Sequence, residues 1–99
     1  MSAVHGQIRT EVHGHIFKII IDNAAKKNSF TPTLMMELSN AFTQLDNSED
    51  LWVGVLCAEG PDFTAGLDMP KFFGPTAERI EEKPDNVDPF ALKKRCRKP

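Results

Sequence analysis

Leu51-Trp52-Val53-Gly54-Val55-Leu56-Cys57 runs on through Ala58-Glu59-Gly60-Pro61-Asp62 into Phe63-Thr64-Ala65-Gly66-Leu67-Asp68, and this stretch decides the fold. Its first seven residues form a short apolar run, the pattern of a strand in the middle of a sheet covered on both faces. The stretch from Glu59 to Asp68 is rich in turn formers and is expected as an exposed loop at the sheet's end. Met69-Pro70-Lys71-Phe72-Phe73 then starts a short helix, with Asp68 near its first turn and Pro70 tolerated there. A pair of small residues after a buried strand allows close approach to the backbone. The peptide N–H that follows can point into a cleft beside a helix N-terminus, where negative charge is favoured. Ala65-Gly66 alone is better read as an ordinary strand-to-helix turn, so the rest of the chain has to decide.

Working outward toward the N-terminus, Gln7-Ile8-Arg9-Thr10-Glu11-Val12 alternates apolar and polar residues, as a half-buried strand does. His13-Gly14 supplies a turn, and Ile16-Phe17-Lys18-Ile19-Ile20-Ile21 follows as a more apolar strand. The two read as a β-hairpin whose second strand is the more deeply buried. Residues 22–29 form a polar loop. Thr31-Pro32 marks a helix start, a capping hydroxyl followed by proline at the first helical position. Leu34, Leu38, Ala41, Phe42 and Leu45 recur at helical spacing, and Asp46-Asn47-Ser48 ends the pattern.

Beyond residue 73 the character changes, and the chain divides into a core over 1–73 and a Pro- and charge-rich tail over 74–99. Ile80, Val87, Phe90 and Leu92 are its chief apolar anchors, and a short helix fits residues 89–96. By composition this tail is expected to be mobile on its own. The full 99 residues suit one small domain with a marginal core, and a net charge of −2 suggests no particular partner. No apolar run approaches the ~20 residues of a membrane span, and the first residues lack the pattern of a secretory signal. The two cysteines sit far apart, Cys57 as a small core residue and Cys96 in the basic tail, so no disulfide is expected and the reducing cytoplasm is the expected location.

Several blocks in register resemble the opening of the enoyl-CoA hydratase/isomerase (crotonase) superfamily. They are Ile21-Asp22, Lys26-Lys27-Asn28-Ser29-Phe30, the helix with Met36-Glu37-Leu38, then Val53-Gly54-Val55-Leu56 and Phe63-Thr64-Ala65-Gly66-Leu67-Asp68. The resemblance covers residues 8–73. It implies an α/β fold, a truncated crotonase-like spiral of ββα units with a β-hairpin, a helix, a central strand, an oxyanion loop and an irregular charged tail. It also implies an acyl-CoA site in which the backbone N–H of Leu67 is the first oxyanion-hole donor, facing a thioester carbonyl that becomes an enolate. Such a donor is worth about 2.7–4 kcal/mol when aimed at the developing charge.

By the same resemblance Ala65, Gly66 and Asp68 line the coenzyme A channel, and Ala25, Lys27 and Ser29 belong to the loop that wraps the pantetheine and nucleotide. Lys26 and Lys27 are placed to attract its phosphates, although a solvated lysine pair describes them equally well. Leu67 narrows the acyl pocket, and Asn23-Ala24, Pro61 and Pro70 depart from the family pattern. The implied activity is addition of water to a 2-enoyl-CoA, or isomerisation, within fatty acid metabolism. Acyl-CoA is the substrate, and no further cofactor or metal is implied.

In the resembled family Arg97-Lys98-Pro99 leads into a further buried strand, then a glycine loop carrying the second oxyanion donor, then the acidic residues that move protons. These lie outside the 99 residues, so the chain by itself is expected to be inactive, with an apolar sheet edge exposed beside residues 52–57. The alternative is a non-catalytic fragment that binds acyl-CoA or joins an oligomer, since the family assembles as trimers and hexamers. A third reading takes Lys93, Lys94, Arg95, Arg97 and Lys98 as a nucleic-acid or anion-binding cluster. No aromatic residues interleave and no nucleic-acid motif accompanies them, so a solvated chain end is expected instead. His13 and His15 have no third metal ligand nearby in sequence and read as a surface hairpin. Among the carboxylates Glu59, Asp62 and Asp68, Asp68 is read as capping or orienting the loop.

Overall fold

In a computed structural model the described residues are 6–73, 86–89 and 96–99. Strand β1 (Gln7–His13) and strand β2 (Ile16–Asp22) form an antiparallel hairpin in the register Gln7↔Asp22 to His13↔Ile16. Gly14, at φ 61, opens the two-residue turn. Glycine at that first central position gives the strands the twist they need to pair. Helix α1 (Pro32–Asn47) then crosses over to strand β3 (Val53–Ala58), which lies parallel to β2 from Ile16↔Val53 to Ile21↔Ala58. The sheet order is β1-β2-β3.

Helix α1 begins where the sequence says it should. Thr31, in extended backbone at φ −105 and ψ 166, accepts the Leu34 N–H on its side-chain oxygen at 3.1 Å, and Pro32 occupies the first turn. Alternation along β2 sends Phe17, Ile19 and Ile21 to one face. They form a single buried cluster with Phe30, Leu34, Leu38, Ala41, Leu45 and Leu51. The hairpin's second strand is therefore the buried one, as its composition predicts.

The position of β3 needs correction. Its apolar run predicts the middle of a sheet, but among the described residues β2 is the central strand and β3 the edge. Val55 is 45% exposed and Leu56 38%. The apolar edge expected beside residues 52–57 is thus present. Among the described residues its outward side is paired at one point, where the Gly54 N–H donates to the Pro99 carbonyl at 2.7 Å. Cys57 is only half-buried, and both cysteines are free thiols.

The tail also differs from expectation wherever it is described. Val87 is buried, its N–H donating to Thr43 Oγ1 at 2.8 Å and its carbonyl accepting from Ser39 Oγ at 2.6 Å. Cys96 packs against the hydrophobic cluster. Arg97 donates from its backbone N–H and its Nε to Asp46 Oδ1, at 2.8 and 3.0 Å, and Lys98 Nζ donates to the carbonyls of Ser48 and Leu51. These two cations serve the C-terminal end of α1, where free carbonyls concentrate negative charge. Both are tied to the body of the fold, while the Arg97 side chain stays largely exposed. The helix considered over 89–96, and Ile80, Phe90, Leu92, Lys93, Lys94 and Arg95, fall outside the described residues.

Candidate functional site

Strands β2 and β3 are parallel, so the segments leaving their C-terminal ends emerge side by side. That is the position where open α/β sheets bind ligands. The first segment, after β2, makes one 3-10 turn at Ala24–Lys26 and then places Lys27 and Asn28 in the left-handed region, at φ 53 and 55. The second runs from Glu59 to Asp68 and leads into helix α2 (Met69–Phe72). Ala25 and Lys27 lie exposed on the first segment and Ser29 half-buried; Lys26 is exposed as well.

The two segments are laced together through backbone. The Ala65 N–H donates to the Lys27 carbonyl at 2.9 Å. Farther along, the Phe30 N–H donates to the Gly66 carbonyl and the Asp68 N–H to the Phe30 carbonyl, both at 2.7 Å, making a parallel bridge between Phe30 and Leu67. Gly66 sits at φ 93, which L side chains rarely adopt, while a Cβ there would meet nothing within 4 Å. Conformation, not space, requires glycine at this point.

This bridge fixes where the Leu67 amide goes. In extended backbone successive N–H groups point to opposite sides. The Gly66 carbonyl and the Asp68 N–H face Phe30, so the Leu67 N–H faces away from it. The Ala65, Gly66 and Asp68 amides donate to Lys27, Thr64 Oγ1 and Phe30. Among the described residues the Leu67 N–H has no acceptor, and the residue is 43% exposed. It is an outward donor held by a frame of satisfied ones. Nearby in sequence Phe63, Met69 and Phe73 have exposed apolar side chains.

Asp68 stands at the N-cap position of α2, half-buried, but its side chain makes no capping hydrogen bond. The loop is oriented instead by its backbone amide. Sequence reading gives no role to Asn28 and Thr64, whose side chains make three further hydrogen bonds between the segments. Asn28 is fully buried, its Oδ1 accepting the Asn23 N–H and its Nδ2 donating to the Glu59 and Asp62 carbonyls. The available signal is the residue type, because asparagine tolerates positive φ better than other non-glycine residues.

Other candidates separate in space. His13 Nε2 pairs with Glu11 Oε1 at 2.9 Å, whereas His15 stacks on Trp52 with ring centroids 3.6 Å apart and takes the Asp50 carbonyl on Nδ1. Glu59 forms an ion pair with Arg9, which also holds Asp22 at 3.1 Å. No described helix is long and apolar enough to cross a membrane.

No protein-family model matches the chain. Among curated proteins it is 30% identical over 96 residues to a probable peroxisomal enoyl-CoA hydratase of Arabidopsis thaliana, covering 94% of this chain and 34% of that protein. It is 29% identical over 76 residues to the hydroxycinnamoyl-CoA hydratase-lyase of Pseudomonas fluorescens, covering 74% of this chain and 28% of that enzyme. Among solved structures a probable enoyl-CoA hydratase/isomerase from Mycobacterium abscessus matches with a TM-score of 0.64 and 37% identity, over 66% of this chain and 25% of that one. An enoyl-CoA hydratase from Mycobacterium tuberculosis matches at 0.64 and 31%, over 66% of this chain and 26% of that one. Sequence and fold agree, and the chain belongs to the enoyl-CoA hydratase/isomerase (crotonase) family. It spans about a third of the Arabidopsis relative's length (34%) and a quarter of the M. abscessus structure (25%).

Proposed function

We propose that this chain forms the first part of an acyl-CoA site and that Leu67 offers its backbone N–H to the thioester carbonyl. The observation that carries this reading is the outward Leu67 amide, without an acceptor among the described residues while its neighbours at 65, 66 and 68 are engaged. When hydroxide adds to the β-carbon of a 2-enoyl thioester, or a proton is taken from the carbon beside the carbonyl, the electron pair collects on the carbonyl oxygen as an enolate. A fixed donor needs little reorganisation to meet that charge, which is why it favours the transition state over the ground state. Ala65, Gly66 and Asp68 would line the coenzyme A channel, and Ala25, Lys27 and Ser29 the loop around the pantetheine and nucleotide, with the exposed Lys26 and Lys27 drawing in its phosphates.

The reaction class this supports is hydration of a 2-enoyl-CoA, or its isomerisation, in the reducing cytoplasm. Acyl-CoA is the substrate, with no further cofactor. In this reading Leu67 is one donor, and the reaction needs in addition a second donor and a proton-transferring group. Removal of one oxyanion donor costs roughly 10²–10³ in turnover. Chain 1–99 incubated with crotonyl-CoA is therefore expected to leave the enoyl absorbance unchanged, while calorimetry shows it binding coenzyme A. Measurable hydration by the chain alone would overturn the first statement, and no heat at millimolar ligand the second.

The exposed β3 edge, with Trp52, Val55 and Leu56, favours a second role. Through it a non-catalytic chain would join the sheet of a family oligomer. Sedimentation of the chain mixed with a full-length family member separates that role from the first.

A further inference from the structure

We propose that Asn28 is the positioning residue that aims the Leu67 N–H, an inference that rests on the thioester-binding reading above. Asn28 is 0% exposed, although residues 24–27 just before it are all exposed. A carboxamide has one acceptor oxygen and two N–H hydrogens. Here each is used: Oδ1 accepts the Asn23 N–H at 2.8 Å, and Nδ2 donates to the Glu59 carbonyl at 2.7 Å and to the Asp62 carbonyl at 2.6 Å. The Asn28 main-chain carbonyl accepts from Thr64 Oγ1 at 2.6 Å, and that oxygen accepts the Gly66 N–H at 3.1 Å. One residue thus fastens the second segment at 59, 62 and 64, and through Thr64 reaches the residue before Leu67.

No other side chain satisfies these demands together. The backbone stands at φ 55, which most residues adopt only at a cost. Glycine adopts that conformation but has no amide to give. Aspartate has the right shape but would set a carboxylate against two carbonyl oxygens, with no hydrogen to offer either. Glutamine is one methylene longer, in a site with no exposed surface. Without the carboxamide, the Glu59 and Asp62 carbonyls lose their side-chain donor while the Phe30 bridge, the Ala65–Lys27 and Glu59–Ile21 bonds and the Thr64 bond to the residue-28 carbonyl stay, and the Leu67 N–H would sample a wider range of directions.

The test is infrared difference spectroscopy of the full chain with crotonyl-CoA carrying ¹³C at the thioester carbonyl, beside calorimetry with coenzyme A, which lacks that carbonyl. In the wild-type chain the carbonyl stretch is expected to move to lower frequency on binding, because a fixed N–H polarises the bond. In N28G, which keeps the backbone conformation, at least half of that downshift is lost, whereas affinity for coenzyme A holds. T64V loses it too, and T64S restores it. A full downshift in N28G overturns the inference alone, as does failure of T64S to restore what T64V loses. Should N28G not fold by amide NMR dispersion, the T64V and T64S pair decides. Absence of any downshift in the wild-type chain overturns the thioester reading and this inference with it.

Discussion

Phe30 and Leu67 pair as a parallel bridge between two loops that are 37 residues apart in sequence, and that pairing turns the Leu67 amide outward. Neither loop could orient it alone. The Gly66 carbonyl and the Asp68 N–H must both find Phe30 before the amide between them has a fixed direction.

Because the donor is backbone, side-chain changes at Leu67 should matter little unless they remove the N–H. L67A is expected to keep the thioester downshift and to admit bulkier acyl chains, measured as competition between crotonyl-CoA and a branched analogue. Proline has no N–H, so L67P should abolish the downshift. A downshift surviving in L67P would show that another group polarises the carbonyl.

Asp46 lies buried at the end of α1 and holds Arg97 by both its backbone N–H and its side chain, while the guanidinium stays largely solvated. Solvent screening therefore limits what the guanidinium adds, and R97A should cost roughly 1 kcal/mol. D46A removes the acceptor for both bonds and should cost about 1.5–3 kcal/mol. Urea denaturation of the two variants checks the order; an R97A loss equal to that of D46A would show that the side-chain pair carries the whole effect.

The start of α1 rests on the Thr31 hydroxyl. T31A should lower stability by about 1 kcal/mol, and T31S by much less, because serine caps as well as threonine does. Thermal unfolding followed by circular dichroism is sufficient, and equal midpoints for the wild type and T31A would refute the cap.

At the hairpin, the hydrogen bond from His13 holds the Glu11 carboxyl below its ordinary value of 4.5, against a desolvation that raises it, with attraction from Lys18, His13 and Arg9 adding to the lowering. A carboxylate whose folded value is depressed stabilises the fold above its unfolded value. That contribution fades as pH falls through the lowered folded value. NMR titration of the Glu11 carboxyl carbon should give a midpoint below 4.5. H13A should move it upward, and an unchanged midpoint in H13A would assign the effect to Lys18 and Arg9.

Much of the fold can be read in the residues because local chemistry fixes it. Gly14 between an alternating run and a more apolar one specifies the hairpin, Thr31-Pro32 the helix start, and the spacing of Leu34, Leu38, Ala41 and Leu45 the buried face of α1. The order of these blocks also carries the family, since it depends on sequence alone. The place of β3 is not legible in this way. An apolar run reports what a strand can bury, and only pairing decides whether it lies at the centre or the edge. Arg97 and Lys98 look like a solvated cluster because nothing nearby in sequence announces the carbonyls and the Asp46 carboxylate that receive them.

The site divides in the same manner. By itself the sequence determined that a Gly-containing loop follows an apolar strand, and its resemblance to the family proposed Leu67 as the donor position. Only the tertiary structure decided which amide is outward, because direction depends on the Phe30 bridge and on Asn28 reaching Glu59 and Asp62 from about thirty residues away. Hydrogen bonds between distant segments have no local sequence pattern. They exist once β2 and β3 lie parallel and their ends come together.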